Sequence, residues 1–370
     1  MADRVCSKSN GLNTPPENQV YGPYGYANNW AHGFYGEEAH GLADRVLEAV
    51  RRETEECDRL QGFQMTHSVY AGTGGGLGSQ LLTRLAEEYP QVARTTYSVL
   101  PSYVGGDGSV VQPYNTVLSL HYLTEVADLA TLYSYRMMGE TLNRGVTTGF
   151  PWDLYSQTVA DTMLGATASS RFSTPGDKEL SQFIERMVPA PPRMHFLTSV
   201  AVPLASRPEG SQPALTDLTA ELLREKTWTM LGRTEAYASE QCLAYTASFR
   251  GIPEIPSDTQ QLLNDMQDKE SCKFIEWLPS GAQFQALPVH AAGHDGISAT
   301  STGNFTSVTR EMEMTLEQFD WLYSRKRYIR TYEMQGMDEM EFTEARYNIK
   351  DLVEEYKEVE GGGRGVTIES

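Results

Sequence analysis

The spacing of apolar residues changes repeatedly along the chain, and each change marks an element. Phe63-Gln64-Met65-Thr66-His67 alternates with period two, as a strand does. After it, Leu77, Leu81, Leu82 and Leu85 recur at helical spacing. Upstream, Leu42, Val46, Val50, Cys57 and Leu60 gather on one side of a helix over Glu37 to Leu60, with Glu and Arg as its solvated face. Downstream come a strand at Tyr97 to Leu100, a glycine-rich loop from Pro101 to Ser109, and a helix beginning near Pro113. Strand, loop and helix in this alternation require a parallel sheet with right-handed crossovers, so the fold class is α/β. From Pro189 the chain turns strand-rich, at Met194 to Val202, Cys242 to Phe249 and Cys272 to Leu278, with a helix over Thr259 to Lys269. Beyond Leu316 it is helical again, and Phe342, Ala345, Ile349, Leu352, Val353 and Tyr356 make one apolar stripe.

The join between the first strand and its helix carries the most chemistry. It reads Ser68-Val69-Tyr70-Ala71-Gly72-Thr73-Gly74-Gly75-Gly76-Leu77-Gly78. Glycines let a backbone turn tightly and approach a ligand, and the first N–H groups of a helix face an anion. Each contact between a charge and a helix end contributes only about 0.3–1 kcal/mol, so several must converge to hold a nucleotide. Neither Gly-Lys-Ser/Thr nor Gly-x-Gly-x-x-Gly on a first strand is present. Taken alone, the stretch is open to two readings, a phosphate loop or an ordinary tight turn.

Composition narrows the field. A chain of 370 residues, 40% hydrophobic and 21% charged, holds two or three domains with a real core. A formal net charge of −19 argues against nucleic acid and favours basic partners. Cys6, Cys57, Cys242 and Cys272 fall at no metal or disulfide-framework spacing and read as reduced thiols. The opening residues have no apolar core for a signal peptide, and no run approaches a membrane span, which points to the cytoplasm and away from a membrane. His290 and His294 lie four apart, but in a loop after Pro288, and the seven histidines read as structural or solvated in preference to metal ligands. No nucleophile, base and orienter set stands out.

Several stretches together resemble the tubulin family: Asn28-Asn29-Trp30-Ala31, Leu60-Gln61-Gly62-Phe63-Gln64, Thr66-His67-Ser68, Gly72-Thr73-Gly74 and Pro113-Tyr114-Asn115. Gly336-Met337-Asp338-Glu339-Met340-Glu341-Phe342-Thr343-Glu344-Ala345 resembles the β-tubulin class. The match runs from about Pro16 to Val359. It implies a Rossmann-type nucleotide-binding domain over 1–135, a central helix with an intermediate domain over 136–314, and C-terminal helices with a short tail over 315–370. Asp153 to Arg171 resembles the central helix, and Ser206 to Leu215 a lateral-contact loop. In the family, two further strands, a phosphate loop and the acidic loop near magnesium precede the segment matching Pro16 to Gly22. The resemblance therefore implies a nucleotide domain that is incomplete at its N-terminal side.

The family's site residues carry over one by one. Ser68, Gly72, Thr73 and Gly74 match phosphate contacts of GTP, with Asn28 beside them, while Tyr70 and Ala71 replace two family glycines. The loop from Asp107 to Gln112 matches the ribose side. Tyr135 and Ser156 match the two asparagines that read guanine, and Trp152 the ring that stacks on it; both amides are missing, and Gln157 supplies one if the register slips by a residue. Hydrolysis in the polymer needs an acid from a neighbouring subunit, and Gln182, in Asp177 to Gln182, stands where the donor's catalytic Glu belongs. Glutamine is no general base. Glu179 reads as a solvated acid at a helix start.

The resemblance thus implies a GTP-binding structural subunit of microtubules, in the cytoplasmic cytoskeleton. Its implied partners are α-tubulin, polymer neighbours and microtubule-associated proteins, with Mg2+ as a family expectation. GTP hydrolysis is expected only within a polymer. The rival readings are a degenerate paralogue that binds partners without nucleotide, and a stand-alone GTPase.

Overall fold

Three parallel strands, β1 (Gly62–Ser68), β2 (Ala93–Leu100) and β3 (Leu129–Ser134), begin the sheet. Ser68 pairs with Val99 and Leu100 with Ser134, so their carboxyl ends are nearly level. The structure is a computed structural model that describes residues 15–101, 109–135, 138, 152–172, 179–189, 192–202, 214–222, 241–259, 261, 273–275, 282–290 and 296–361. β3 pairs in parallel with β4 (Phe196–Val202), which runs antiparallel to β8 (Ser298–Phe305). β8 in turn pairs with β5 (Gln241–Arg250), which carries β6 (Lys273–Phe274) and β7 (Ala282–Leu287) in parallel. The β3–β4 pairing therefore fuses the two strand-rich regions of the sequence into one sheet, ordered β1-β2-β3-β4-β8-β5-β6 with β7 on β5. Within it β3 and β4 are buried at every position, while β1, at the end of the order, is half-exposed.

Helices α1 (Trp30–Tyr35), α2 (Glu37–Glu56), α3 (Gly78–Glu88) and α4 (Gln112–Val126) flank the first three strands. α4 is buried on nearly all sides because α9 (Thr309–Tyr323) and α11 (Glu339–Glu360) lie across it. The stripe from Phe342 to Tyr356 is buried as its period requires, in one cluster with Trp30, Tyr114, Val117 and Phe319. The far end of the chain thus completes the core of the first domain. α11 opens with a capping box, Asp338 accepting from Met340 N–H and Glu341 accepting from Asp338 N–H. The remaining described helices are α5 (Trp152–Ala166), α6 (Ala168–Arg171), α7 (Leu180–Met187), α8 (Leu215–Leu222) and α10 (Ile329–Glu333).

Three boundaries differ from expectation, each for a local reason. The helix from Glu37 stops at Glu56, because Cys57 turns to extended backbone. β2 begins at Ala93, four residues early, drawn into register with Gly62 by the β1 ladder. The central helix breaks at Thr167, whose hydroxyl and N–H both bond the Met163 carbonyl, a competition that bends helices. The helix over Thr259 to Lys269, the strand over Cys272 to Leu278 and the loop Ser206 to Leu215 lie largely outside the described residues. Among the described residues, no helix is long and apolar enough to cross a membrane.

Candidate functional site

Ser68 ends β1, and after Val69-Tyr70-Ala71 the chain winds through one widened helical turn, Gly72–Leu77, into α3. Glycine is needed here for space. A Cβ on Gly72 would stand 2.7 Å from the Asn29 carbonyl oxygen, and one on Gly75 2.6 Å from Ser119 Oγ. On Gly76 it would overlap the Trp30 carbonyl oxygen, and on Gly74 both oxygens of Ser68. Ser68, Gly72, Thr73 and Gly74 are therefore brought together at the carboxyl ends of the strands, where ligands of open α/β sheets bind.

The turn before α1 packs directly over this loop. Gly72 N–H donates to the Ala27 carbonyl at 3.0 Å, and Thr73 Oγ1 accepts from Tyr26 N–H at 3.1 Å. Gly75 N–H donates to the Ala71 carbonyl at 2.9 Å. An anion that takes the Gly72 N–H as a donor must displace the Ala27 carbonyl. Ala27 itself sits at φ 46, left-handed backbone that costs a residue with a Cβ. Asn28 is exposed next to the loop.

Asn115, fully buried on α4, ties these pieces together. Its Oδ1 accepts from Trp30 N–H at 3.0 Å and from Tyr332 OH at 2.6 Å. Its Nδ2 donates to the carbonyls of Asn28 at 3.0 Å and Tyr70 at 2.9 Å. In the sequence Asn115 is only the last residue of a motif, and Thr116, Ser119 and Thr124 are also buried polar residues of α4, so nothing in the helix pattern singles it out.

His67 holds the loop from the sheet side. The Gly74 carbonyl, 2.8 Å from Nδ1, can only accept, so Nδ1 carries a proton, and Nε2 lies 2.8 Å from Ser98 Oγ. Burial lowers the His67 pKa. Burial also lowers His121 and His195. A His pKa below its unfolded value of about 6.5 gives stability that is complete above that pH and lost as pH falls below it. The urea midpoint is expected to fall between about pH 7.5 and about pH 5.5, and to fall less in His67→Gln, whose amide donates and accepts without titrating. An equal fall in both proteins would contradict this role for His67.

At the opposite side of the crevice, Tyr135 follows directly on β3 and meets Tyr70, with ring centroids 6.3 Å apart. Tyr155 of α5 packs on Tyr135 at 5.4 Å. Tyr70 thus points toward Tyr135 across the ends of the strands. Ser156 is exposed on α5, one residue beyond buried Tyr155. Gln157, the alternative amide, donates to Asp161 Oδ1 at 2.8 Å. Trp152 opens α5, and Asp107 lies outside the described residues. The structure therefore joins Tyr70, Tyr135 and Tyr155, a cluster the sequence does not announce because its members lie on three separate elements.

The other candidates separate. Glu179 precedes α7 and pairs with Arg59 at 2.9 Å, a surface ion pair, and Gln182 is exposed in the first turn. His290 Nδ1 lies 3.3 Å from the Gly296 carbonyl, and His294 is outside the described residues. Among the described residues, no group of three or more His, Cys, Asp or Glu is placed to hold a metal ion. Cys57 is exposed and Cys242 buried.

The family model for the Tubulin/FtsZ family GTPase domain matches residues 3–143, and that for the tubulin C-terminal domain matches residues 192–316. The tubulin beta-1 chain of Colletotrichum graminicola is 36% identical over 349 residues, covering 94% of this chain and 77% of its own. The chain belongs to the tubulin family. Its glycine loop, Asn115 and the Tyr70–Tyr135 contact all fall within the region matched by the GTPase-domain model. That model ends at residue 143 and the next begins at 192, so α5, which carries Trp152, Tyr155 and Ser156, lies between the two matches.

Proposed function

We propose that the chain is a β-tubulin-like structural subunit that pairs with α-tubulin and binds guanine nucleotide weakly, with little selection for the base. The observation that carries this reading is the glycine loop, with Ser68, Gly72, Thr73 and Gly74 assembled at the carboxyl ends of parallel strands and the helix α3 behind them. A helix N-terminus in that position attracts phosphate. At the base end, Tyr135 and Ser156 replace amides with hydroxyls, so guanine and adenine are separated by little more than stacking. Surface features suit assembly: Trp321 on α9, under the Arg325 and Arg327 guanidinium groups, and Met340 and Tyr347 on α11 are exposed, and microtubule-associated proteins are the partners expected for the family. Mg2+ belongs to the proposal only as the counter-ion of a bound triphosphate. The proposed location is the cytoplasmic cytoskeleton.

Equilibrium binding of GTP and ATP to the full chain tests the nucleotide half. The expected result is weak binding of both, differing by less than about tenfold, because one lost base-specific hydrogen bond is worth about 1–3 kcal/mol of discrimination. Tight binding of GTP alone would overturn the assignments of Tyr135 and Ser156.

A second reading, a paralogue that binds partners without nucleotide, is favoured by one contact: the Ala27 carbonyl already occupies the Gly72 N–H. Absence of binding by either nucleotide, together with retained association with α-tubulin, would select it.

A further inference from the structure

The crevice at the carboxyl ends of β1, β2 and β3 is bridged by two tyrosines. Tyr70 stands two residues past the end of β1, and Tyr135 is the first residue past β3. β2 lies between those strands, so their ends are separated by two interstrand spacings, roughly 9–10 Å. The Tyr70 and Tyr135 side chains close that distance by reaching toward each other. Their rings meet edge to face, at 6.3 Å and 65°. Tyr155 backs Tyr135 at 5.4 Å and 70°, so the far side of the bridge is braced by a buried ring. On the near side, the Tyr70 carbonyl is held by Asn115 Nδ2 at 2.9 Å, which fixes the backbone but leaves the side chain its rotamers. Burial raises the pKa of both phenols, so the bridge is neutral at physiological pH.

We propose that the Tyr70–Tyr135 bridge is a gate across the nucleotide crevice, and that Tyr70 must swing off Tyr135 before a nucleoside di- or triphosphate can enter. The proposal rests on the reading of the glycine loop as a phosphate site. A ligand with its phosphates at Thr73 and Gly74 and its base toward Tyr135 has to cross the line between β1 and β3, which the two phenols now occupy. Swinging Tyr70 away breaks one aromatic contact and leaves the Tyr135 ring free to stack on a purine of either kind. Tyr70 is thus a residue that determines affinity, while the Tyr135 and Tyr155 rings make the opened site tolerant of the base.

The test compares full-length wild type, Tyr70→Ala and Tyr70→Leu in equilibrium and stopped-flow binding of fluorescent GTP and ATP analogues, with thermal midpoints recorded alongside. Loss of one ring contact corresponds to a gain in affinity of about two- to tenfold for Tyr70→Ala, for both nucleotides, appearing in the association rate constant. Tyr70→Leu keeps an apolar side chain and removes the ring, and a smaller gain is expected; it carries the test if the Ala variant fails to fold. Measurable wild-type binding with unchanged or weaker binding in the variants overturns the gate and leaves the nucleotide reading intact. A gain confined to the dissociation rate constant also overturns it. Failure of all three proteins to bind either nucleotide removes both the gate and the nucleotide reading.

Discussion

Asn115→Leu is expected to cost more stability than any other single conservative-volume change in the first domain. The leucine fills a similar space but leaves Trp30 N–H, Tyr332 OH and the carbonyls of Asn28 and Tyr70 without their present partner. A buried polar group left unsatisfied costs about 1–3 kcal/mol, so four give a loss on the order of 4 kcal/mol or more even after relaxation. Against a whole-domain stability of about 5–15 kcal/mol, that is a large fraction. The loss should also be shared by distant parts of the chain. Tyr332 packs at 5.8 Å on Tyr114 and 5.2 Å on Phe342, so detaching it loosens the C-terminal helices from α4. Urea unfolding followed by far-UV circular dichroism measures the loss, and a change below about 1 kcal/mol would show that these four groups find other partners.

Gly76→Ala is the second large effect. The new methyl overlaps the Trp30 carbonyl oxygen and stands 3.0 Å from Gly33 Cα. Gly33 in turn has no room for a Cβ, which would lie 2.8 Å from Leu77 N. The glycine turn and α1 thus interlock backbone against backbone, and neither side has a flexible side chain to move. Overpacking costs about 1–3 kcal/mol where side chains can adjust, so a loss of roughly 3 kcal/mol is expected here. Gly41→Ala supplies the contrast: the position is exposed on α2, with nothing within 4 Å of the added atom. There the substitution should stabilise by about 0.5–1 kcal/mol through better helix propensity. Urea midpoints that move the same way in both variants would contradict the interlock.

What was legible in the sequence followed from periodicity. The alternation of Phe63 to His67 and the helical spacing from Leu77 to Leu85 place β1, the glycine turn and α3, because one face of each element must be buried. The stripe from Phe342 to Tyr356 is equally plain for the same reason, and all six residues are buried. The packing partners were not legible. That α11 lies on α4, and that β4 continues the sheet of β3, depend on surfaces more than 60 residues apart in the chain, Ala130 meeting Phe196. The site divides in the same way. Ser68, Gly72, Thr73 and Gly74 are contiguous and could be named from one motif. The Ala27 carbonyl on Gly72 N–H is a backbone contact that no side-chain pattern reports. Tyr70, Tyr135 and Tyr155 converge only because parallel strands end level at one edge. Thr167 is legible afterwards: a hydroxyl that bonds the carbonyl four residues back competes with its own helix.

The role proposed for this tubulin-family chain is that of an assembly subunit that pairs with α-tubulin. Co-sedimentation with purified α-tubulin, against the same amount of chain alone, tests it most directly. More chain should pellet with α-tubulin than by self-association. Equal amounts in the pellet with and without α-tubulin would contradict the claim.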